Sequence, residues 1–500
     1  MKKNIITLII FIFIVLLLGL AVKGDRGDPI YYQTEKDKSV GSPFESTNST
    51  SRYALVESIV EDKTFFFNHT LAKFSASDIA YYNGKIFSIF TPGVSFVGIP
   101  FYLIGKAVGL PQLFTYFSTL VFAILNVYLI SRLGVKLGAN WYGALIGGIA
   151  FLFATNALPY AFSFTQHHIS TALILLALLN AVAKRTFVNN LLFGLLYGAG
   201  LLMDIPNGLM MLPLAAYVLS KQIFFGEIGN KIKLSLKLNF IALVIGLIPL
   251  LSLFAWYNYQ ITGLLTKFPQ SIGKVDYTEE GVVERRKESG QEDPFERKTF
   301  YDTRKQLNGF YILLVSNERS WLYYSPIIVI GILGLIVGLR KYENRALILL
   351  GISLSIVCIV SYASFGDPWG GWSFGPRYLI PAAALLSIGI GVAVQKFKRN
   401  AIFICIFLIL LIYSVFVSSL GAMTTSAIPP KVEAIHLNNP IPYTYNYNLE
   451  FVEKNKSSSL LYNIFFYNFS SFKGYLVGYI TAVSILVAGI YILMLRSKSE

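Results

Sequence analysis

Cysteine, histidine and charged residues are scarce in this sequence. Its 500 residues include 2 cysteines and 4 histidines, and only 14% of them are charged. Both cysteines, Cys358 and Cys405, lie inside apolar runs, so the sequence predicts neither a structural disulfide nor a zinc site. Such a low charged fraction, with 54% hydrophobic residues and a mean hydropathy of +0.58, excludes an ordinary water-soluble domain.

Basic residues outnumber acidic ones, with 42 lysines and arginines against 27 aspartates and glutamates, for a net charge of +15. They do not gather on one segment, as they would in a protein that binds nucleic acid. They lie in short clusters between apolar runs, and this pattern orients membrane helices. We therefore predict that membrane lipids are partners and that nucleic acid is not.

Apolar runs of membrane-spanning length recur along the chain. A run of about 20 residues crosses the hydrocarbon as a helix with every backbone group bonded internally. The sequence predicts an all-α polytopic membrane protein of about 12 such helices. The run at 92–110 is short and interrupted by Pro100 and Gly105, so we expect a helix lying in the outer leaflet there. The predicted spans are 4–22, 112–133, 140–158, 168–184, 188–204, 205–220, 236–258, 322–340, 345–364, 378–395, 400–420 and 475–495.

Charge clusters between these spans predict their orientation. Lys2 and Lys3 precede the first span and no cleavage site follows it, which indicates a retained helix and a cytoplasmic N-terminus. The prediction is a multi-pass protein of the plasma membrane with both termini in the cytoplasm. The turns predicted to be cytoplasmic carry Arg132, Lys136, Lys184, Arg185, Lys221, Lys231, Lys233, Lys237, Arg340, Lys341, Arg345, Lys396, Lys398, Arg399, Arg496 and Lys498.

The long polar segments fall on the outer side in this topology. Function is expected there, because binding and catalytic residues favour loops held on a rigid scaffold. The sequons at Asn48, Asn68, Asn455 and Asn468 all lie in these segments. The external segments are 23–91, 259–321, 365–377 and 421–474.

Several short motifs follow one another along the chain. They are Ser51-Arg52-Tyr53-Ala54, Gly84-Lys85-Ile86-Phe87-Ser88 with Thr91-Pro92-Gly93, Gln166-His167-His168-Ile169, Asp204-Ile205-Pro206, the run 316–326 and the run 369–381. In this order they resemble the GT-C superfamily of membrane glycosyltransferases, in particular the protein mannosyltransferase and aminoarabinose transferase-like group (glycosyltransferase family 39-like). The resemblance implies a GT-C-like catalytic module over residues 1–420, followed by an external loop and a final helix over 421–500.

Two positions depart from that group. Where the group carries an acidic pair before x-Arg-Tyr-Ala, this chain has Ser49-Thr50. Where the group carries a lysine before its Pro-Pro/Gly step, this chain has Phe90. Other residues must then supply the base and one phosphate ligand, or the reaction has been lost or changed.

A sugar transferase working outside the cell has no nucleotide sugars, so its donor must arrive on a lipid carrier. It needs a carboxylate to take the acceptor proton, cationic groups for the leaving phosphate and a groove for the lipid tail. Asp78 is the leading candidate for the base, and a helix or turn cap is the alternative interpretation. Glu57 and Asp204 are further candidates. Asp204 lies at a membrane boundary, where a carboxylate is costly unless it is paired or hydrated.

Arginine suits the donor phosphate, because its planar fork binds two oxygens at once. Arg319 and Arg377 lie at outer helix ends, against the positive-inside trend, and are the main phosphate candidates, with Arg52 and Lys85 beside them. The alternatives are ion pairs with acidic neighbours, snorkelling to lipid headgroups, or a solvated helix face in the case of Arg52.

The segment around Trp369, Trp372 and Tyr378 combines aromatic residues with several glycines, which suits a sugar ring close to the backbone. An interfacial aromatic belt is the alternative. His168 is a candidate for substrate binding, since adjacent histidines on a helix cannot both face one site, and a structural hydrogen bond is its alternative. No metal-spacing motif is present, and the sequence leaves a divalent cofactor open.

The sequence therefore predicts transfer of a sugar from a polyprenyl-phosphate donor to a glycan, lipid or protein acceptor by an inverting displacement at the outer face. A transporter or flippase of lipid-linked saccharides is one alternative, although it would favour internal repeats and charges at mid-membrane. A non-catalytic scaffold of the same fold is the other, favoured by the Ser49-Thr50 departure.

Overall fold

The computed structural model describes residues 2–24, 44–228, 231–236, 239–278, 280–283, 306–341, 343 and 345–497. Most of these residues are helical. The strands of this part of the chain form antiparallel hairpins in the connecting segments, namely β1 (Ile79–Tyr82) with β2 (Lys85–Ser88), β3 (Ile223–Ile228) with β4 (Lys231–Leu236), and β5 (Asp276–Thr278) with β6 (Gly281–Val283). Predicted loop residues 25–43 and 284–305 lie outside the described residues.

The helices follow in two series. The first comprises α1 (Lys2–Leu20), α2 (Thr47–Glu57), α3 (His69–Ser75), α4 (Gly93–Ala107), α5 (Pro111–Lys136), α6 (Trp141–Phe153), α7 (Ala157–Ala161), α8 (His167–Ala181), α9 (Phe187–Met203), α10 (Pro206–Met210) and α11 (Leu212–Ser220). The second comprises α12 (Phe240–Thr262), α13 (Gln306–Leu314), α14 (Trp321–Tyr324), α15 (Ile328–Gly338), α16 (Arg345–Ala363), α17 (Ile380–Lys396), α18 (Ala401–Met423), α19 (Lys431–Ala434), α20 (Asn446–Glu453) and α21 (Phe472–Arg496).

The prediction of a helical, multi-pass membrane protein is confirmed. Among the described residues, 6 helices are long and apolar enough to cross a membrane, namely α5, α12, α16, α17 with its leading turn, α18 and α21. The shorter apolar helices, of 10–17 residues, are α1, α4, α6, α8, α9 and α15. The helix expected at 92–110 is α4, which packs along α5 and also contacts α2 and α9.

Some predicted spans are not continuous helices. The span 140–158 is divided into α6 and α7, the span 205–220 into α10 and α11, and the span 322–340 into α14 and α15. Proline explains two of these breaks, because a proline nitrogen cannot donate to the preceding turn. Pro213 lies in the first turn of α11, directly after the end of α10, and Pro326 lies between α14 and α15. The breaks bring polar residues to helix ends inside the bundle.

Glycine allows the closest helix contacts. A Cβ on Gly334 of α15 would lie 1.8 Å from the carbonyl oxygen of Gly389 on α17. A Cβ on Gly246 of α12 would lie 2.0 Å from the carbonyl oxygen of Leu191 on α9. Small residues at such crossings let backbones approach and gain dispersion energy, the main attraction between helices in lipid.

The connecting segments bond to one another as well as to the bundle. In the segment between α1 and α4 (23–91), which we call loop one, Ile79 forms an isolated bridge with Val275. Glu45 forms a buried ion pair with Lys23, with an Nζ–Oε1 distance of 3.0 Å, and accepts from the amide of Ser426 at 2.7 Å. These contacts hold loop one against the segment after α12 and the segment after α18.

Candidate functional site

Two arginines from distant segments define the centre of the site. Arg52 lies on α2 and is only 1% exposed. Its Nη1 donates to the carbonyl oxygen of Asn48 at 3.3 Å and to the Asn48 side-chain oxygen, and its guanidinium lies 3.9 Å from the centre of the Phe90 ring. Its Nε is buried and has no hydrogen-bond partner among the described residues. Phe90, one of the departures from the GT-C pattern, thus supports an arginine.

Arg377 begins a short 3₁₀ turn directly before α17. Asp367 shapes the preceding loop by accepting from the amides of Gly370 and Gly371 at 3.0 and 3.1 Å. Gly370 has φ 77°, and a Cβ there would lie 3.0 Å from the Arg377 Nε, so the glycine makes room for the guanidinium. Tyr378 stacks on Tyr362 at 4.3 Å. The buried Nε of Arg377 also lacks a partner in the described part of the chain.

Asp78 lies at the start of the β1–β2 hairpin and is 4% exposed. Thr47 donates to its Oδ2 at 2.7 Å, and Lys274 forms an ion pair with its Oδ1. Burial alone would raise the pKa of Asp78, but the charge of Lys274, its hydrogen bond and that of Thr47, and the charge of Arg377 together hold that pKa below its ordinary value. Asp78 is therefore an ionised carboxylate with both oxygens engaged.

Asp204 follows α9 and is half-buried. Gln166 donates to its Oδ2 at 3.1 Å. Burial raises the pKa of Asp204 to about 6, although the charge of Arg52 and the hydrogen bond from Gln166 oppose the rise. Asp204 is therefore a carboxylate whose pKa lies above its ordinary value, and its side chain is not fully enclosed by the protein.

The Thr91-Pro92-Gly93 motif holds this end of α9 in place. The hydroxyl of Thr91 donates to the carbonyl oxygen of Met203 at 2.7 Å, one residue before Asp204. A Cβ on Gly93 would lie 2.4 Å from the carbonyl oxygen of Leu202, so only glycine allows this approach. The Thr91-Pro92-Gly93 motif therefore helps to position the carboxylate of Asp204.

These charges lie in one electrostatic neighbourhood. Burial lowers the pKa of Arg52 to about 10, while the carboxylates of Asp204 and Asp78 raise it and the charge of Arg377 lowers it further. We call Arg52, Asp78, Asp204 and Arg377 the central cluster. Sequence analysis named all four residues, and the structure brings them together from loop one, the end of α9 and the start of α17.

The structure also brings in His167 and Tyr160, which sequence analysis did not choose. The His167 ring packs edge-on against Tyr160 with centres 5.1 Å apart, and Arg52 and Arg377 lie within electrostatic range of it. Among the described residues no hydrogen bond reaches its ring nitrogens. His168, the predicted substrate ligand, lies instead with Nε2 2.8 Å from the carbonyl oxygen of Ala157 and Nδ1 3.3 Å from the Asn126 amide. The adjacency of the two histidines was the available signal, but sequence could not tell which one faces inward.

Buried polar atoms without partners surround the central cluster. Besides the Nε atoms of its arginines, they include the Oε1 of Gln166, both amide atoms of Asn156 and the hydroxyl of Tyr324. Gly375 places Asn156 and Tyr324 close together, since its Cβ would meet both side chains. Buried polar groups almost always have a partner, so this region is built to receive water or a polar ligand.

The other predicted phosphate ligands are Arg319 and Lys85. Tyr160 lies within electrostatic range of Arg319 as well as of Arg377, and the Arg319 Nε is also buried without a partner among the described residues. Arg319 is fully buried and donates to the carbonyl oxygens of Glu318 at 2.8 Å, Ile428 at 2.9 Å and Tyr443 at 3.2 Å, which ties the segment after α18 to the start of α14. Lys85 is exposed at the hairpin, with its Nζ 4.1 Å from the centre of the Phe66 ring.

The remaining predicted site residues are Glu57 and the aromatic residues of the segment 369–378. Trp372 is 42% exposed and its Nε1 donates to Glu433 at 2.5 Å, while Trp369 is half-buried one turn away. Glu57 ends α2, is 7% exposed and is engaged in an interaction of its own. Tyr378 adjoins Arg377 itself, with the guanidinium 5.4 Å from the centre of its ring.

Ser49 and Thr50, which stand where the GT-C group carries its acidic pair, are fully buried and form hydrogen bonds within the fold. The Ser49 and Ser163 hydroxyls lie 3.2 Å apart, and Thr50 donates to the carbonyl oxygen of Thr47 at 3.0 Å. In the residues that the structure describes, no group of three histidines, cysteines or acidic residues is arranged to hold a metal ion.

Comparison with known proteins gives remote structural likeness only. No family model matches the sequence, and no curated protein matches it. ArnT from Cupriavidus metallidurans in the apo state is similar with a TM-score of 0.47 and 13% identity, over 99% of this chain and 77% of that one. ArnT bound to undecaprenyl phosphate gives a TM-score of 0.46 and 14% identity, over 98% of this chain and 78% of that one.

The oligosaccharyltransferase AglB from Archaeoglobus fulgidus, in complex with an inhibitory peptide and a dolichol-phosphate, is similar with a TM-score of 0.44 and 11% identity. That match covers 90% of this chain and 59% of AglB. ArnT and AglB are GT-C superfamily membrane glycosyltransferases.

Proposed function

We propose that this protein transfers a sugar from a polyprenyl-phosphate-linked donor to an acceptor hydroxyl at the outer face of the plasma membrane, with inversion at the anomeric carbon. The observation that supports the proposal most is the central cluster itself. In the central cluster two arginines lie beside two carboxylates, and neither arginine forms an ion pair among the described residues. Two of the four residues come from loop one, one from the end of α9 and one from the turn before α17.

The leaving phosphate binds Arg52 and Arg377. Both side chains carry a buried Nε–H without an acceptor, and a phosphate oxygen would satisfy such donors with charge-assisted hydrogen bonds. Arg319 has a structural role in this proposal, because its Nη donors hold the segment after α18 through the carbonyl oxygens of Ile428 and Tyr443, although its Nε also lacks a partner among the described residues. The unsatisfied Nε donors of Arg52 and Arg377 are the reason that the site would bind an anion.

The acceptor proton goes to Asp204 in this proposal. A good general base has a pKa near the working pH and a side chain that the substrate can reach. Asp204 has a pKa of about 6 and is half-buried. Asp78, the leading candidate from sequence, has a lowered pKa and both oxygens bonded, which makes it a weaker base and a better partner for Lys274.

The chemical step then balances without a further reactant. The acceptor oxygen bonds to the anomeric carbon on the face opposite the phosphate, and its proton moves to Asp204. The bond from the anomeric carbon to the phosphate oxygen breaks, and its electron pair stays on that oxygen. Arg52 and Arg377 stabilise the charge that develops there, which is the usual largest contribution to such catalysis.

The experiment uses the full chain in liposomes with a panel of radiolabelled polyprenyl-phosphate monosaccharides and a membrane extract as the acceptor source. Release of free polyprenyl phosphate together with transfer of label is the expected result. Asp204→Asn should abolish transfer and Asp78→Asn should reduce it less, while Glu450→Gln, a carboxylate on the exposed surface of α20, should change nothing.

Transfer that survives Asp204→Asn unchanged would remove the base assignment but not the reaction. Label that crosses the bilayer without release of polyprenyl phosphate would replace the proposal with the transporter alternative. Absence of both transfer and movement with every donor would favour the scaffold.

A further inference from the structure

Residues 464–469, before α21, form an exposed apolar patch that we call the aromatic loop. Phe469 is 88% exposed and Phe465 60%, and Ile464, Phe466 and Tyr467 are 43%, 41% and 49% exposed. No charged residue occurs between Lys456 and Lys473. Contiguous exposed apolar residues of this kind mark an interaction surface rather than ordinary solvent-facing loop.

The loop has a defined shape. It begins in a π-helical turn, Tyr462–Phe466, and the amides of Phe469 and Ser470 both donate to the carbonyl oxygen of Phe466 at 2.9 Å. Tyr462 is fully buried beneath it, and its hydroxyl donates to the carbonyl oxygen of Ser470 at 3.2 Å. The backbone of the loop therefore directs these aromatic side chains outward.

Its position in the fold is set by the ends of two apolar helices. Ser471 caps α21, and the hydroxyls of Ser459 and Tyr475 both donate to the carbonyl oxygen of Leu20, the last residue of α1, at 2.7 Å. The Asn463 amide donates to the carbonyl oxygen of Gly24 at 2.9 Å. Where membrane helices end, the bilayer passes from hydrocarbon to headgroups, so the loop is level with that boundary.

We propose that the aromatic loop inserts into the headgroup–acyl boundary of the bilayer and anchors the segment after α18 to the lipid surface. Continuity with the lipid-facing surfaces of α1 and α21 identifies the partner as lipid. Phenylalanine and isoleucine side chains bury their apolar bodies at this depth, and the hydroxyl of Tyr467 can stay among the headgroups. Because the loop has no charged side chain, it enters without the cost of desolvating a charge.

The sequon at Asn468 lies within the aromatic loop and would therefore lie against lipid. Ile435, just past α19 on the same segment after α18, serves as the control. It is apolar and 59% exposed, which lies between the exposures of Phe466 (41%) and Phe469 (88%).

The test places a nitroxide on Phe469→Cys, Phe466→Cys or Ile435→Cys in a full-length Cys405→Ser background, with the chain in phosphatidylcholine liposomes. Collision with oxygen reports lipid and collision with a water-soluble nickel chelate reports solvent. At positions 469 and 466 the oxygen-to-nickel ratio should be several-fold above that at position 435. The Phe466 ring also contacts Tyr475, with ring centres 5.3 Å apart, so Phe469→Cys at the 88% exposed position is the substitution that disturbs packing less.

A ratio at Phe469→Cys and Phe466→Cys equal to that at Ile435→Cys would overturn the proposal, since the loop would then lie in water. Low collision with both reagents would also overturn it, because the patch would then be covered by protein. Phe469→Asp gives an independent readout. If the aromatic loop inserts into lipid, this substitution should make the start of α21 more accessible to protease.

Discussion

Two polar regions of this protein, both largely buried, are bonded in opposite ways. At the end of α1, Glu45 accepts from Lys23 at 3.0 Å, from Thr425 at 2.8 Å and from the amide of Ser426 at 2.7 Å, so its charge is fully paired. In the central cluster, Arg52 and Arg377 keep buried donors without acceptors. Fully paired groups stabilise a fold, whereas unpaired ones are kept only where a ligand completes them.

Removal of an unpaired arginine should affect activity far more than folding. Arg377→Ala is expected to lower kcat/KM for sugar transfer about 10²–10³-fold, as loss of a charge-stabilising donor does in other active sites. Arg377→Lys should recover only part, because an ammonium cannot bind two phosphate oxygens in one plane. The measurement is initial rate against donor concentration, with thermal unfolding of each variant alongside.

Arg132→Gln is the matched control, since Arg132 is exposed on α5 and outside the central cluster. Equal loss of activity in the Arg132 and Arg377 variants would show that the effect is general charge and not the site.

Removal of one partner from the Lys23–Glu45 pair should instead affect folding more than activity. Glu45→Ala leaves Lys23, only 1% exposed, with a buried charge, and should cost about 3–5 kcal/mol of unfolding free energy with the transfer rate per folded molecule little changed. Glu450→Ala, which breaks the exposed Lys454–Glu450 pair, should cost about 0–1 kcal/mol. Thermal unfolding in one detergent compares the two; similar shifts would contradict the contrast.

A fall in pH should reproduce part of the loss of unfolding free energy expected for Glu45→Ala. Burial would raise the pKa of Glu45, but the charge of Lys23 and the hydrogen bonds from Ser426 lower it below its ordinary value. A lowered carboxyl pKa contributes stability that is present above the ordinary value near 4.5 and is lost as the pH falls through the folded value. The Glu45→Ala variant should lack this component.

The pH dependence of transfer should instead follow Asp204. Its pKa of about 6 means that kcat/KM should rise as the pH increases through that value and then level off, because only the carboxylate accepts a proton. Asp204→Glu should move the inflection while keeping activity. An inflection that stays unchanged in Asp204→Glu would assign the titration to another group.

An intermediate effect is expected where one partner of an ion pair is exposed and the other is buried. Lys274 is 45% exposed, but its removal leaves the Asp78 carboxylate, only 4% exposed, without that cation. Lys274→Ala should therefore cost about 1–3 kcal/mol of stability, less than Glu45→Ala, because Thr47 still donates to Asp78. Transfer should persist, since Asp78 is not the proposed base. Abolished transfer in Lys274→Ala, with the fold intact, would instead assign the ion pair a direct part in the reaction.

Sequence predicted the helical membrane fold well because hydrophobicity and length are local properties. It did not anticipate that the predicted spans 140–158, 205–220 and 322–340 divide into separate helices, although Pro213 and Pro326 marked two of the breaks. A proline shows where a helix loses a bond, but whether the helix bends or ends depends on what packs there.

Sequence also named the four members of the central cluster, because arginine and aspartate at helix ends and in a long polar segment are chemically conspicuous. It ranked them less well. Arg319 and Arg377 look alike in sequence, and so do His167 and His168. In the structure, however, the Nη donors of Arg319 go to backbone carbonyl oxygens and His168 lies against the carbonyl oxygen of Ala157.

By itself, the sequence therefore determined that this protein is a helical, multi-pass membrane protein and which residue types are available for chemistry. Only the tertiary structure decided which of those residues are bonded and which remain available. The reason is that a buried polar group is satisfied by partners from anywhere in the chain, as Arg319 is by Ile428 and Tyr443.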